Sequence, residues 1–372
     1  MEVSKTQDLT TNKPHIFEAN VKMSRYQPID IKPVYGRKWI TNGVNNCNFT
    51  VYKDAYDDSP TNASIINAYV NYLFGEGLYD INKQDITEWI SEEDVLLMVQ
   101  DYKIYGGFSC QIIWSKGHTI LKIEYIPIYK LGVNYNEKNL KIDGFWYSWD
   151  WSNKGRYIPK LYPLFTGNYK GNDLEIFSVY RPTAEPFFPI PDYLSGVPWA
   201  FVEGELANAG KNHFINAMSD ITVINYNNGR IADPELAKKE AQRVRDKVVG
   251  TDNQSTVLVG FNEDADQAIV VDRVSPPELN NQNVFFSEEA ERKLIVAHSA
   301  PPILFTGSNT GSGFSSNADE IAMATKALYR RHINPMRKVI LTGLQFIFKQ
   351  IDDTIKLDFK DFKEEDKLEI SE

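Results

Sequence analysis

A chain of 372 residues, 42% hydrophobic and 24% charged, has room for two or three folding units or one elongated unit, and its composition excludes a disordered or fibrous protein. Its 50 acidic residues outnumber 40 basic ones, and the net charge of −10 repels DNA and anionic membranes unless Lys and Arg are gathered locally. Two cysteines, Cys47 and Cys110, exclude a disulfide framework and match no zinc spacing, and neither a secretory leader nor a membrane-length apolar run is present, so a soluble chain in a reducing compartment is expected.

In chain order, residues 1–35 are polar and aperiodic and read as an arm, flexible or docked on a neighbour. Ile65, Ile66, Tyr69, Val70 and Leu73 recur at helical spacing behind Pro60, Thr61 and Asn62, which predicts a helix over 62–74 that stops at Gly75 and Gly77. A second helix is predicted over 91–103, opened by the capping pair Ser91 and Asp94. Between 108 and 180, short runs rich in Ile, Tyr, Trp and Val alternate with Gly, Asn and Lys clusters, the texture of an antiparallel sheet. Five prolines between 181 and 198 forbid regular structure and mark a junction. From Trp199 to Ser219 one long helix is predicted, weakened by Gly204 and Gly210. The strand ITVIN, a helix opened by Asp233 and Pro234, and the strands STVLVG and QAIVV form a compact βαββ insertion. Ser287 is expected to cap a helix running to His298, which the double proline Pro301–Pro302 ends. Residues 306–317 are the most Gly- and Ser-rich stretch and predict a mobile loop. Ser316 and Asp319 then open a long helical run to about Gln350, which Pro335 should kink or split.

No catalytic or metal-binding pattern emerges. GELANAGKN (204–212) has its glycines spaced wrongly for a phosphate loop, puts Asn212 where Ser or Thr would hold Mg²⁺, and falls in a predicted helix. The five histidines are scattered, and no G-x-S-x-G elbow occurs. No cofactor is implied. The aromatic cluster Phe145, Trp146, Tyr147, Trp149 and Trp151, with Asp143 and Asp150 beside it, fits two readings. It is either core or interface, with Trp149 buried, or a platform that stacks on sugar rings in a carbohydrate-binding or carbohydrate-active virion protein.

The order of features is more specific than any one of them. NASIINAYVNYLFGEGL, YGGFSCQIIW followed by YIPIYKLGV, and above all FFSEEAERKLIVAHSAPPILFTGSNTGSGFSSNADEIAMATKALYRRHINPM resemble the tailed-bacteriophage portal protein family of the HK97-like kind. The last segment carries the family's pattern in His298, Ala300, Pro301, Pro302, Ile303 and Leu304, then the Gly/Ser loop, Asp319, Glu320, Ile333 and Pro335. The resemblance spans residues 60–345 and implies an α+β, elongated subunit. In it, 1–35 is an arm, 36–196 a β-rich wing, 197–220 and 278–300 two stem helices, and 221–277 an α/β clip. Residues 301–317 form the tunnel loop, 318–350 a long helix over the wing, and 351–372 a tail with little or no crown. It implies a ring of about twelve subunits at one capsid vertex. That ring is assembled in the bacterial host cytoplasm, and double-stranded DNA passes through it without tight binding. Its partners are the major capsid protein, the terminase large subunit and the head-tail adaptor, with no membrane and no enzymatic activity. A gene-transfer particle would use the same scaffold.

On this resemblance the tunnel loop meets DNA through Ser308, Asn309, Thr310, Ser312 and Ser315, with Phe314 as an apolar wedge; the alternative is a connector that touches nothing. Lys238, Lys239, Arg243, Arg245 and Lys247 form a basic stripe on the clip helix, either solvated or docking an acidic terminase or adaptor surface. Ala207, Ala209, Gly210 and Ala217 supply small residues for packing between neighbouring stems.

Overall fold

The computed structural model describes residues 39–136, 141–185, 187–218, 221–226, 235–236, 238–239, 242–243, 256–261, 279–305 and 318–362. A turn of left-handed residues leads the chain into the first helix: Gly43, Asn45 and Asn46 have φ of 72°, 58° and 62°. Glycine and asparagine bear this conformation at least cost. Asn46 fixes the turn from inside, accepting from the Asn42 N–H at 2.8 Å and donating to the carbonyls of Tyr129 and Leu131, each at 3.0 Å. Helix α1 (Cys47–Asp58) follows and buries Phe49, Val51, Tyr52 and Ala55.

Helix α2 (Pro60–Phe74) begins at the predicted signal. Ser59 Oγ accepts the Asn62 N–H at 3.1 Å, and Pro60 occupies the first turn, where a missing N–H costs nothing. Strand β1 (Leu78–Asp80) precedes α3 (Glu92–Tyr105), whose Ser91 cap accepts the Asp94 N–H at 3.0 Å and whose end is Gly106 at φ 84°. The aromatic-rich runs become β2 (Gly107–Trp114), β3 (Ile120–Tyr125), β4 (Leu131–Asn136), β5 (Lys141–Tyr147), β6 (Lys160–Pro163) and β7 (Leu174–Tyr180). They form two antiparallel sheets in the orders β3-β2-β7 and β4-β5-β6. The proline-rich segment after β7 is irregular, as expected, yet it is packed: Phe187, Phe188 and Tyr193 are buried in the core.

Helix α4 (Val197–Met218) leads to β8 (Ile221–Tyr226), which pairs in parallel with β9 (Thr256–Phe261). Parallel neighbours need a crossover, and the described residues between 235 and 243 are helical. The expected third strand, QAIVV, lies outside the described residues.

Helix α5 (Leu279–Ala297) starts eight residues before the expected Ser287 cap. Ser287 sits exposed inside the helix, and the boundary follows the double proline at 276–277 instead. Its end is a Schellman turn: Ser299, at φ 52°, gives its N–H to Val296 O, and Ala300 gives its N–H to Ile295 O, both at 3.0 Å. After a single helical turn, α6 (Pro302–Phe305), come α7 (Ala318–Leu328), a π-helical stretch at Tyr329–Ile333, and α8 (Asn334–Phe348). The expected break at Pro335 takes the form of this π-helical stretch, which separates α7 from α8 just ahead of the proline. The wide turn ahead of it absorbs the missing donor and the ring. Strand β10 (Leu357–Phe359) closes on β1.

One contiguous core joins Ile40 to Phe359 and includes Val197, Ala200, Leu294 and Ile295, so the bases of α4 and α5 are rooted in the same apolar mass as the sheets. Arg337 pins α8 to the end of α2. Its Nε and Nη2 donate at 2.9 Å to Leu73 O and Tyr72 O, carbonyls that the helix leaves without partners, and Nη1 reaches Asp361.

Candidate assembly interface

Helices α4 and α5 are both bolted to α2 by polar groups. From α4, Glu203 takes the Thr61 hydroxyl at 2.7 Å, the Thr61 N–H at 3.3 Å and the Ser59 hydroxyl, which places a carboxylate at the positive end of the α2 dipole. From the end of α5, His298 Nε2 donates to Asn62 Oδ1 at 2.8 Å, and its backbone carbonyl accepts the Tyr69 hydroxyl at 3.0 Å. Tyr193 stacks on the imidazole with centroids 4.6 Å apart. Beside it, the buried Lys103 ammonium pairs with Asp192 at 2.8 Å and lies 4.1 Å from the Tyr69 ring centroid. Burial pulls the Lys103 pKa down, against the pull of Asp192, and burial together with the Lys103 charge holds His298 well below its usual range. His298 is thus a neutral imidazole whose Nδ1 has no partner. Asp101, on the same helix as Lys103, is pushed up to about 7 by burial, opposed by hydrogen bonds from the Ile128 N–H and the Tyr125 hydroxyl.

Away from this joint the two helices lose their cover. They run antiparallel, since a Cβ on Gly196, just before α4, would lie 2.7 Å from Ala297 at the end of α5. Counting equal numbers of residues from that contact sets Phe285 level with Asn208. At that level Val284 (57% exposed), Phe285 (59%) and Phe286 (44%) stand in solvent. On α4 the residues at that level, Ala207, Ala209 and Gly210, are exposed too, and a Cβ on Gly210 would meet nothing within 4 Å. Large apolar side chains and small-residue gaps therefore lie side by side at one height on a single antiparallel pair. Val296, itself exposed, lines a cavity of about 450 Å³ between the end of α5 and α7, and Ile303, Ile321 and Met323 are further exposed apolar residues of α6 and α7.

Of the residues singled out from sequence, Ala207, Ala209 and Gly210 share this surface, and Ala217 belongs to the same helix. Lys238, Lys239 and Arg243 are helical and exposed, while Arg245 and Lys247 lie outside the described residues. The loop residues Ser308, Asn309, Thr310, Ser312, Phe314 and Ser315 also lie outside them. Sequence reasoning missed Val284, Phe285 and Phe286. The available signal was three consecutive apolar residues in a helix, which no single buried stripe can cover.

The aromatic cluster divides. Phe145 and Trp151 are buried, the latter donating to Lys130 O at 2.9 Å, whereas Trp149 is 61% exposed and is no core residue. The chain bends as it leaves the end of β5 and carries Trp149 beneath the Lys130 ammonium. Asp143 is held by Asn134 at 2.6 Å, and Asp150 is kept ionised by the Ser152 hydroxyl and N–H, the reverse of what a general acid requires. Among the described residues no His, Cys, Asp or Glu cluster could hold a metal, and no helix is long and apolar enough to cross a membrane.

The architecture is mixed α and β, with antiparallel sheets and two long helices rooted in the same core. Comparison with solved structures finds chains similar to it in fold. A chain from the neck of an empty gene transfer agent (GTA) particle, computed with C6 symmetry, superimposes with a TM-score of 0.53 and 12% identity, covering 88% of this chain and 86% of the other. A chain from the neck of a native GTA particle, computed with C12 symmetry, gives 0.52 and 11%, covering 84% and 83%. The HK97 family phage portal protein from Corynebacterium diphtheriae gives 0.44 and 12%, covering 83% and 94%. No family model matches the sequence, and no curated protein matches it.

Proposed function

We propose that this chain is the repeating subunit of a closed portal ring at one vertex of a phage or gene-transfer capsid, through which double-stranded DNA is packaged and ejected. The observation that carries the reading is the bare α4–α5 pair. Rotation about a ring axis keeps every residue at its own height, so a surface that closes a ring must match itself laterally at each level. Phe285 and Phe286 of one copy seated against Ala207, Ala209 and Gly210 of the next meet that condition, and about 25 cal/mol per Å² of apolar area removed from water would drive the contact. The C12 symmetry of the native GTA neck is consistent with about twelve copies.

The net charge of −10 suits a conduit for a polyanion, because phosphate-binding walls would hold DNA rather than let it slide. In this reading 36–196 is the wing, 197–220 and 278–300 the stem, 221–277 the clip, and 318–350 the helix over the wing. Ser308, Asn309, Thr310, Ser312, Phe314 and Ser315 touch passing DNA. Lys238, Lys239, Arg243, Arg245 and Lys247 dock an acidic surface of the terminase or the adaptor.

The test is the double variant Phe285→Asp, Phe286→Asp. Both side chains are exposed in the single subunit, so its circular dichroism and melting should stay unchanged while native mass falls from ring to monomer. A variant that still forms full rings would contradict the assigned interface.

A further inference from the structure

Away from the stem, the turn into α1 meets the end of β5 around a cleft of about 260 Å³, lined by Asn45, Phe49, Lys53, Tyr129, Lys130 and Trp149. The Lys130 ammonium sits 3.4 Å from the Trp149 ring centroid and 5.9 Å from that of Tyr129, and it makes no ion pair among the described residues. Burial pulls its pKa down with no carboxylate opposing. An ammonium drawn partly out of water onto an aromatic face, with no counter-charge, is half of an interaction. The other charged groups on the walls are already engaged: Lys53 pairs with Asp57, and Asp150 Oδ1 accepts from the Ser152 N–H at 2.8 Å and hydroxyl at 2.6 Å. Lys154 extends the basic rim, donating to Asn45 Oδ1. Trp149, Phe49 and Trp151 add apolar walls. The chemistry that completes this cleft is a carboxylate with an aliphatic side chain beside it.

We propose that the cleft is a docking site for the acidic segment 363–372 of this chain. That segment, KEEDKLEISE, carries five carboxylates against two lysines and sets Leu368 and Ile370 around Glu369. The reach is sufficient. Asp361 is held by Arg337 at the C-terminal end of α2. Helices α2 and α3 run antiparallel, with Lys103 over Tyr69 and Gly77 beside Glu92, so the C-terminal end of α3, where Tyr105 lines the cleft, lies one helix length away. The 14 residues of α3 span about 21 Å, and the segment, fully extended, reaches about 33 Å.

Carbodiimide cross-linking of the full-length protein, read by peptide mass spectrometry, tests this directly. The expected product joins Lys130 or Lys53 to Glu369 or Glu372, the carboxylates far enough along the segment to reach the cleft. A mixture of isotopically light and heavy protein tells whether the segment comes from the same copy or a neighbour. The variant Glu365→Lys, Asp366→Lys, Glu369→Lys should lose that product and shift the Trp149 fluorescence. Lys130 cross-linked only to other carboxylates, or to none, would overturn the proposal, as would a charge-reversed variant whose emission difference from its Trp149→Phe counterpart equals that of wild type from Trp149→Phe.

Discussion

His298 joins α5 to α2 through its side chain and its carbonyl while remaining uncharged beside Lys103. Its folded pKa is depressed below the value of about 6.5 expected for the unfolded chain, so the unfolded state takes the proton first as pH falls. The stability it supplies is present above about pH 6.5 and is lost toward lower pH. Asp101, raised to about 7, works the other way, because the folded state takes its proton first and gains stability as pH falls below 7. Comparing wild type with His298→Gln isolates the histidine, since Asp101, Asp192, Lys103 and His332 are common to both. Urea midpoints should show the wild-type advantage at pH 7.5 shrinking as pH falls to 5, by at most about 1.4 kcal/mol per pH unit below 6.5; a constant gap would remove His298 from the joint's pH response. At this scale the sequence was only partly legible. His298 stood out three residues ahead of a double proline, but its partners Asn62, Tyr69 and Tyr193 are distant in sequence and no local pattern links them. Trp149 looked like core because its neighbours alternate as a strand. The bend that exposes it begins one residue earlier and leaves no period to read.

Elements were legible where their ends are chemically marked. Pro60 and Gly75 announce α2, Ser91 and Asp94 announce α3, and the β-branched and aromatic runs announce the sheets. Helix α1 escaped notice because its start is a left-handed asparagine turn without a side-chain cap. The first turns of α5 escaped because Ser287 imitates a cap within a helix that has no buried stripe there to reveal its true length. Glycines separate internal packing from open surface. A Cβ on Gly343 of α8 would fall 2.3 Å from Val179 of β7, so Gly343→Ala should cost about 1–3 kcal/mol despite the better helix propensity of alanine. Gly210 faces open space, so Gly210→Trp should leave subunit stability within about 0.5 kcal/mol of wild type while blocking assembly. Chemical denaturation and native mass, run on both variants, check the contrast. A strongly destabilised Gly210→Trp subunit would mean that this face packs within its own chain.

For the whole molecule, the order of elements along the chain carried more information than any motif. The fold as a whole is shared, at 12% identity and a TM-score of 0.53, with a chain of the gene transfer agent neck. Such divergence within one fold is expected, because core positions need only apolar volume. The surface itself stayed hidden in the sequence because an exposed Phe285 reads like any buried one until the helix around it is seen to lack cover. The most direct test is negative-stain imaging with native mass of the purified full-length protein. The account predicts closed, rotationally symmetric rings of about a dozen subunits around a central channel. A stable monomer or closed dimer at assembly concentrations, with Phe285 and Phe286 still in solvent, would contradict it.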